Sequence, residues 1–75
     1  MIRELDTVVL MHDIDQHGLK AGDIGAVVLC HGDGEAFEVE FVTGEGLTVA
    51  VLTLTAQEVR PIQAQEVLHA RDLAV

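Results

Sequence analysis

The sequence predicts an all-β fold, a small five-stranded barrel with a separate C-terminal tail. Two observations carry that prediction. A loop with glycines at 18, 22 and 25 runs straight into the apolar segment Ala26-Val-Val-Leu-Cys-His31. Then His31-Gly-Asp-Gly34, with its Asp-Gly turn signal, opens the strictly alternating Glu35-Ala-Phe-Glu-Val-Glu-Phe-Val42. Closely spaced strands, tight turns and glycines where the backbone must bend are how a strongly bent sheet is written.

Asp6-Thr-Val-Val-Leu-Met-His12 is a β-branched run after a polar start and reads as the first strand. The segment 12–18 is polar and turn-like, and 19–25 continues it as a long loop. The run 26–31 lacks strict alternation, as expected of a central strand partly covered on both faces. In 35–42 alternation puts Phe37, Val39 and Phe41 on one face and Glu38 and Glu40 on the other. Thr43-Gly-Glu-Gly46 makes a second hairpin into the fourth strand, 47–54. Thr55-Ala-Gln-Glu58 has capping-box spacing and predicts one short 3₁₀ or α turn. Val59-Arg-Pro-Ile62 is a short last strand, kept to an edge by Pro61, which lacks a ladder donor.

The tail, 63–75, changes character. It is rich in Ala, Gln, Glu and Leu and has no Gly or Pro, so its local preference is helical. It has no wide apolar stripe, and a helix this short does not persist alone in water. It docks on the barrel, pairs with a second copy or frays. A strand, a long loop, a three-strand meander, a turn and a last strand describe an SH3-like barrel over 1–62, with 63–75 as a tail.

Leu5-Asp-Thr-Val-Val-Leu10, the Gly-Leu-x-x-Gly-Asp-x-Gly-x-Val-Val pattern from Gly18 to Val28, Glu38-Val-Glu-Phe41 and Leu52-Thr-Leu54 together resemble a small bacterial family of domains of unknown function. More loosely they are similar to SH3-like barrels of the translation-type KOW class. The family resemblance covers about residues 3–62. It implies the SH3-like fold and brings no activity, cofactor or catalytic residue.

Composition narrows the function. In 75 residues, four Lys and Arg stand against thirteen Asp and Glu, a net charge of −9. Lys20, Arg3, Arg60 and Arg71 are scattered, whereas a phosphate backbone or an anionic membrane needs clustered cations. Neither is an expected partner, and no apolar run approaches the ~20 residues that span a bilayer. Cys30 is the only cysteine. With no secretory signal pattern at Met1-Ile-Arg-Glu-Leu-Asp6, it points to a reducing, cytoplasmic setting. A chain this small buries only roughly 60% of its unfolded surface and benefits from a partner.

No catalytic constellation is legible. His31 follows Cys30, but neighbouring strand residues face opposite ways, so it is no base for that thiol. The glycines at 18, 22 and 25 lack the Lys-Ser/Thr pair of a phosphate loop. Asp33 and Glu35 with Asp13 and Asp15 fall short of a Ca²⁺ loop's ligand number. His12, Asp13, Asp15 and His17 are the candidate metal ligands, by residue type rather than by any standard spacing. A peptide groove that stacks prolines needs Tyr or Trp, and the chain has neither. The expectation is a non-catalytic binding or assembly module with no cofactor. It would contact a protein partner, or a second copy as a homodimer, through Glu38, Glu40, Val67, Leu68 and Leu73. The alternative is a small metal- or ligand-binding protein, or an accessory subunit of an enzyme complex.

Overall fold

A computed structural model describes residues 1–73. Five strands form one antiparallel sheet: β1 Thr7–Leu10, β2 Ile24–His31, β3 Ala36–Val42, β4 Thr48–Thr55 and β5 Val59–Pro61. Their order is β4-β3-β2-β1-β5. β2 is shared between the two halves. Its start pairs with β1, through Thr7 opposite Ala26 and Val9 opposite Ile24. Its remainder pairs with β3, from Ala26 opposite Glu40 to His31 opposite Ala36, with a bulge between Val27 and Leu29.

Alternation determines what each strand buries. Val8 and Leu10 of β1, Val27 of β2, Phe37, Val39 and Phe41 of β3, Leu54 of β4 and Val59 of β5 join Leu19 in one apolar cluster. Leu54 and Val59 belong to the two outermost strands. In a flat five-stranded sheet these would lie about 19 Å apart, four spacings of ~4.8 Å. Their shared cluster requires the sheet to curl around its core. Among the described residues no ladder joins β4 to β5, so the curled sheet is open where a closed barrel was expected.

The curl depends on one missing side chain. A Cβ on Gly25 would sit 2.6 Å from Val39 Cγ1 and 2.9 Å from Phe41 Cε1. β3 can approach β2 this closely only where β2 carries no side chain. At the other end of β2 the 32–35 turn uses the positive φ of Gly32 and Gly34, 61° and 87°, as the Asp-Gly signal implies.

Two further expectations need correction. The residues after β4 form a hydrogen-bonded turn at 56–58, closed by Glu58 N–H to the Thr55 carbonyl, and not a helical one. The Glu58 carboxylate also accepts from the Thr55 N–H at 2.8 Å, as in a capping box. The only 3₁₀ segment among the described residues is Asp15–His17, in the loop before β2. The tail is not helical: a turn at 64–65 precedes an irregular segment through Leu73. With no wide apolar stripe to bury, its helical preference loses to two arginine pairs that tie it to β5 and to the loop before β2. No helix among the described residues is long and apolar enough to cross a membrane.

Gly25→Ala therefore forces Val39 or Phe41 out of place. It is expected to lower stability by about 1–3 kcal/mol, the usual cost of overpacking. Urea unfolding checks this. A midpoint equal to that of the unaltered chain contradicts the close-approach account.

Candidate functional site

The outward face of β2, β3 and β4 presents two carboxylates in a fixed setting. Glu38 stands between Leu29 on β2 and Thr53 on β4, and Glu40 between Ala26 and Val51. Thr53 Oγ1 donates to Glu38 Oε2 at 2.6 Å, and His31 Nε2 lies 2.8 Å from the same oxygen. These two contacts, the threonine first, hold the Glu38 carboxyl below its ordinary range. Thr48 Oγ1 donates to Glu40 Oε2 at 2.7 Å. Around them Val28, Leu29 and Val51 are 42%, 44% and 49% exposed, which makes the face both aliphatic and acidic. Cys30 lies opposite Phe37 on the inner side, partly buried against the core. His31, opposite Ala36, faces out, as strand alternation requires.

The candidate metal ligands are tied to separate neighbours. His12 Nδ1 sits 2.9 Å from the Asp13 carbonyl oxygen, and its Nε2 sits 3.0 Å from Glu58 Oε2. Hydrogen bonding to Glu58 raises the His12 pKa above 6.5. Asp13 Oδ1 accepts from the Ala21 N–H at 2.9 Å, closing the long loop. Asp15 opens the 3₁₀ turn, and the His17 ring lies 3.4 Å from the Gln16 amide. Among the described residues no three His, Cys, Asp or Glu side chains converge on a common point that could hold a metal ion.

The tail is fastened by charge, and sequence reading missed this. Arg60 donates to both Glu66 carboxylate oxygens, at 2.8 and 2.6 Å, and the Gln63 N–H caps the same group. Arg60 first and Gln63 second push Glu66 down to about 2. Arg71 donates through Nε to Asp23 Oδ1 at 2.9 Å, through Nη2 to Oδ2, and to the Gly18 carbonyl at 2.8 Å. Arg71 chiefly, helped by the Lys20 N–H, lowers Asp23 against a smaller opposing effect of burial. A pair 48 residues apart leaves no local signal. The scarcity of cations in so acidic a chain was the one available hint.

Of the tail residues read as partner contacts, Val67 is 89% exposed, Leu68 67% and Leu73 39%. The tail thus turns its arginine inward and much of its apolar surface outward. Between tail residues 68–73 and the β3–β4 hairpin lies a cleft of about 570 Å³, floored by Leu19, Phe41 and Val49. The structure does not merge the two sets of predicted contact residues into one cluster. Glu38 and Glu40 belong to the sheet face, and Val67, Leu68 and Leu73 to the tail.

A curled all-β sheet with an ordered acidic face and a charge-fastened tail defines a small β-domain. The chain belongs to the family described as a domain of unknown function, DUF4926, whose model matches residues 4–61. No curated protein and no solved structure matches it. Gly18, Asp23, Glu38, Glu40 and Arg60 fall within the matched span, and Glu66 and Arg71 beyond it.

Both tail anchors carry carboxylates whose folded pKa is lowered. Their stabilisation is complete above the ordinary values of 3.8 for Asp23 and 4.5 for Glu66. It is lost as pH falls through the lowered values, about 2 for Glu66. Amide resonances of residues 66–73 are expected to hold their shifts from neutral pH to about pH 5 and to move toward unstructured values between 4.5 and about 2. Arg71→Ala should free residues 68–73 at neutral pH while β1–β3 stay unchanged. Tail resonances unaffected by either acid or Arg71→Ala contradict the anchoring.

Proposed function

We propose that this protein is a non-catalytic binding module of SH3-like topology. It recognises a protein partner through the acidic strand face of Glu38 and Glu40, with Val67, Leu68 and Leu73 of the tail as a second, apolar contact. The observation that carries this reading is the outward sheet face. Its two carboxylates are oriented by Thr53, His31 and Thr48 among exposed aliphatic side chains. Aliphatic surface combined with fixed charge suits a partner carrying apolar and basic side chains. The strand order supports the SH3-like reading. With no Tyr or Trp, recognition rests on charge and aliphatic contact and not on stacked prolines.

A small-ligand reading has one observation in its favour. The cleft beside the tail, about 570 Å³ with an apolar floor, falls in the size range of ligand pockets, about 300–1,000 Å³. Its wall is a segment held by two surface ion pairs, and such pairs are individually weak. The sheet face is the more rigid of the two.

Affinity capture with Glu38→Gln/Glu40→Gln beside the unaltered chain tests the proposal. Partner proteins retained by the unaltered chain should be lost with the double variant, and also at high salt. Val67→Ser/Leu68→Ser should weaken retention less. The same proteins retained at the same level by the double variant would remove the acidic face from the account.

A further inference from the structure

We propose that the free edge of β4 accepts an extended, basic segment of a partner protein as a sixth strand of the sheet. The proposal rests on the binding-module reading and names the partner's chemistry and its mode of docking.

The two edges of the sheet are unlike. β5 is three residues long and carries Arg60 and Pro61, so little can pair beside it. β4 is eight residues long, Thr-Val-Ala-Val-Leu-Thr-Leu-Thr, with no charge and no proline. Its ladder runs to β3, and among the described residues no backbone bond joins 49–54 to any other segment. The bulge between Phe41 and Val42 disturbs only its start, and 50–55 keep a regular register. Over 50–55 no charge, proline or bulge protects this edge. A row of unpaired N–H and C=O groups on a β-branched strand is a template for strand addition.

Charge selects the occupant. The chain carries −9, and two of its four cations, Arg60 and Arg71, are held in internal pairs. A second copy would bring the same charge and its own Glu38 and Glu40 to the interface. A basic segment meets the opposite situation. Residues of the added strand opposite Val51 and Thr53 share the outward face with Glu40 and Glu38. β3 lies two strand spacings from the added strand, about 9.6 Å. A lysine or arginine laid across the exposed Val51 can bring its head to Glu40, with its aliphatic stem on the valine. Residues opposite Ala50, Leu52 and Leu54 would face the partly covered inner side. The partner segment therefore alternates basic with apolar residues.

The probes are a labelled peptide alternating lysine and valine, and a non-alternating peptide of the same composition, each titrated into the full chain. Fluorescence anisotropy reads binding and backbone amide resonances locate it. The alternating peptide should bind preferentially and move the amides of Val49–Leu54. Glu38→Gln/Glu40→Gln should weaken it roughly fivefold to tenfold and flatten its salt dependence. Val51→Lys, which puts a cation beside Glu40 on the exposed side, should weaken it by at least about tenfold. The amide readout needs no variant, so the test survives a variant that fails to fold. Equal binding of both peptides, or no binding of either, overturns strand addition. Binding that is lost in the Glu38→Gln/Glu40→Gln variant but never moves the β4 amides also overturns it, while leaving the acidic face as the contact. A chain already paired with itself through β4 would make a second copy the occupant, against the proposal.

Discussion

The close approach at Gly25 decides where this sheet folds, and the rest of the architecture follows from it. β2 is the one strand that pairs with both halves, and Gly25 lies where pairing to β1 gives way to pairing to β3. With no side chain there, Val39 and Phe41 pass close over the backbone and both halves share one core. A core of only two aromatic residues and many Val and Leu side chains has little volume to spare. It is filled because the strands come close and not because the side chains are large. The same register that turns Phe37, Val39 and Phe41 inward turns Glu38 and Glu40 outward, so the core and the candidate contact face are two sides of one strand.

Electrostatics does for the tail what apolar packing does for the sheet. A chain of net charge −9 has few cations to distribute, and it uses Arg60 and Arg71 to tie the tail to β5 and to the loop before β2. Val67 and Leu68 are left facing solvent. A segment held by hydrogen-bonded charges is released more readily than one held by burial, because each exposed pair is worth little and is screened by salt. The tail is therefore the adaptable part of the molecule and the sheet face its rigid part.

The elements that were legible in the sequence are those whose period or turn chemistry is local. The alternation of 35–42 and the Asp-Gly turn located β3 and the hairpin before it within a residue. The Thr55–Glu58 spacing predicted a 3₁₀ or α turn, and its capping contact forms, but it closes a simple turn with no helix. The tail misled because helix preference is a local quantity, while its conformation is decided by partners far away, Asp23 and Gly18 among them. The start of β2 at Ile24 was hidden because Gly25 reads as a loop residue, although it sits inside the strand for its lack of a side chain. Of the site, the facing of Glu38 and Glu40 followed from alternation. Their partners Thr53 and Thr48 did not, since cross-strand register is set by the hairpin and its bulge. His12, Asp13, Asp15 and His17 are close in sequence, but His12 turns to Glu58 after β4 while Asp13 closes the loop on Ala21.

The sheet is asymmetric, blunt at β5 and open at β4, with an acidic face beside the open edge. Residue-resolved amide hydrogen exchange on the full chain at neutral pH distinguishes the two edges. An open β4 edge gives slow exchange through β2 and β3 and, along β4, alternation between protected amides bonded to β3 and fast-exchanging amides that point away. Uniform protection along β4 would mean the edge is already covered, and would contradict an open sheet.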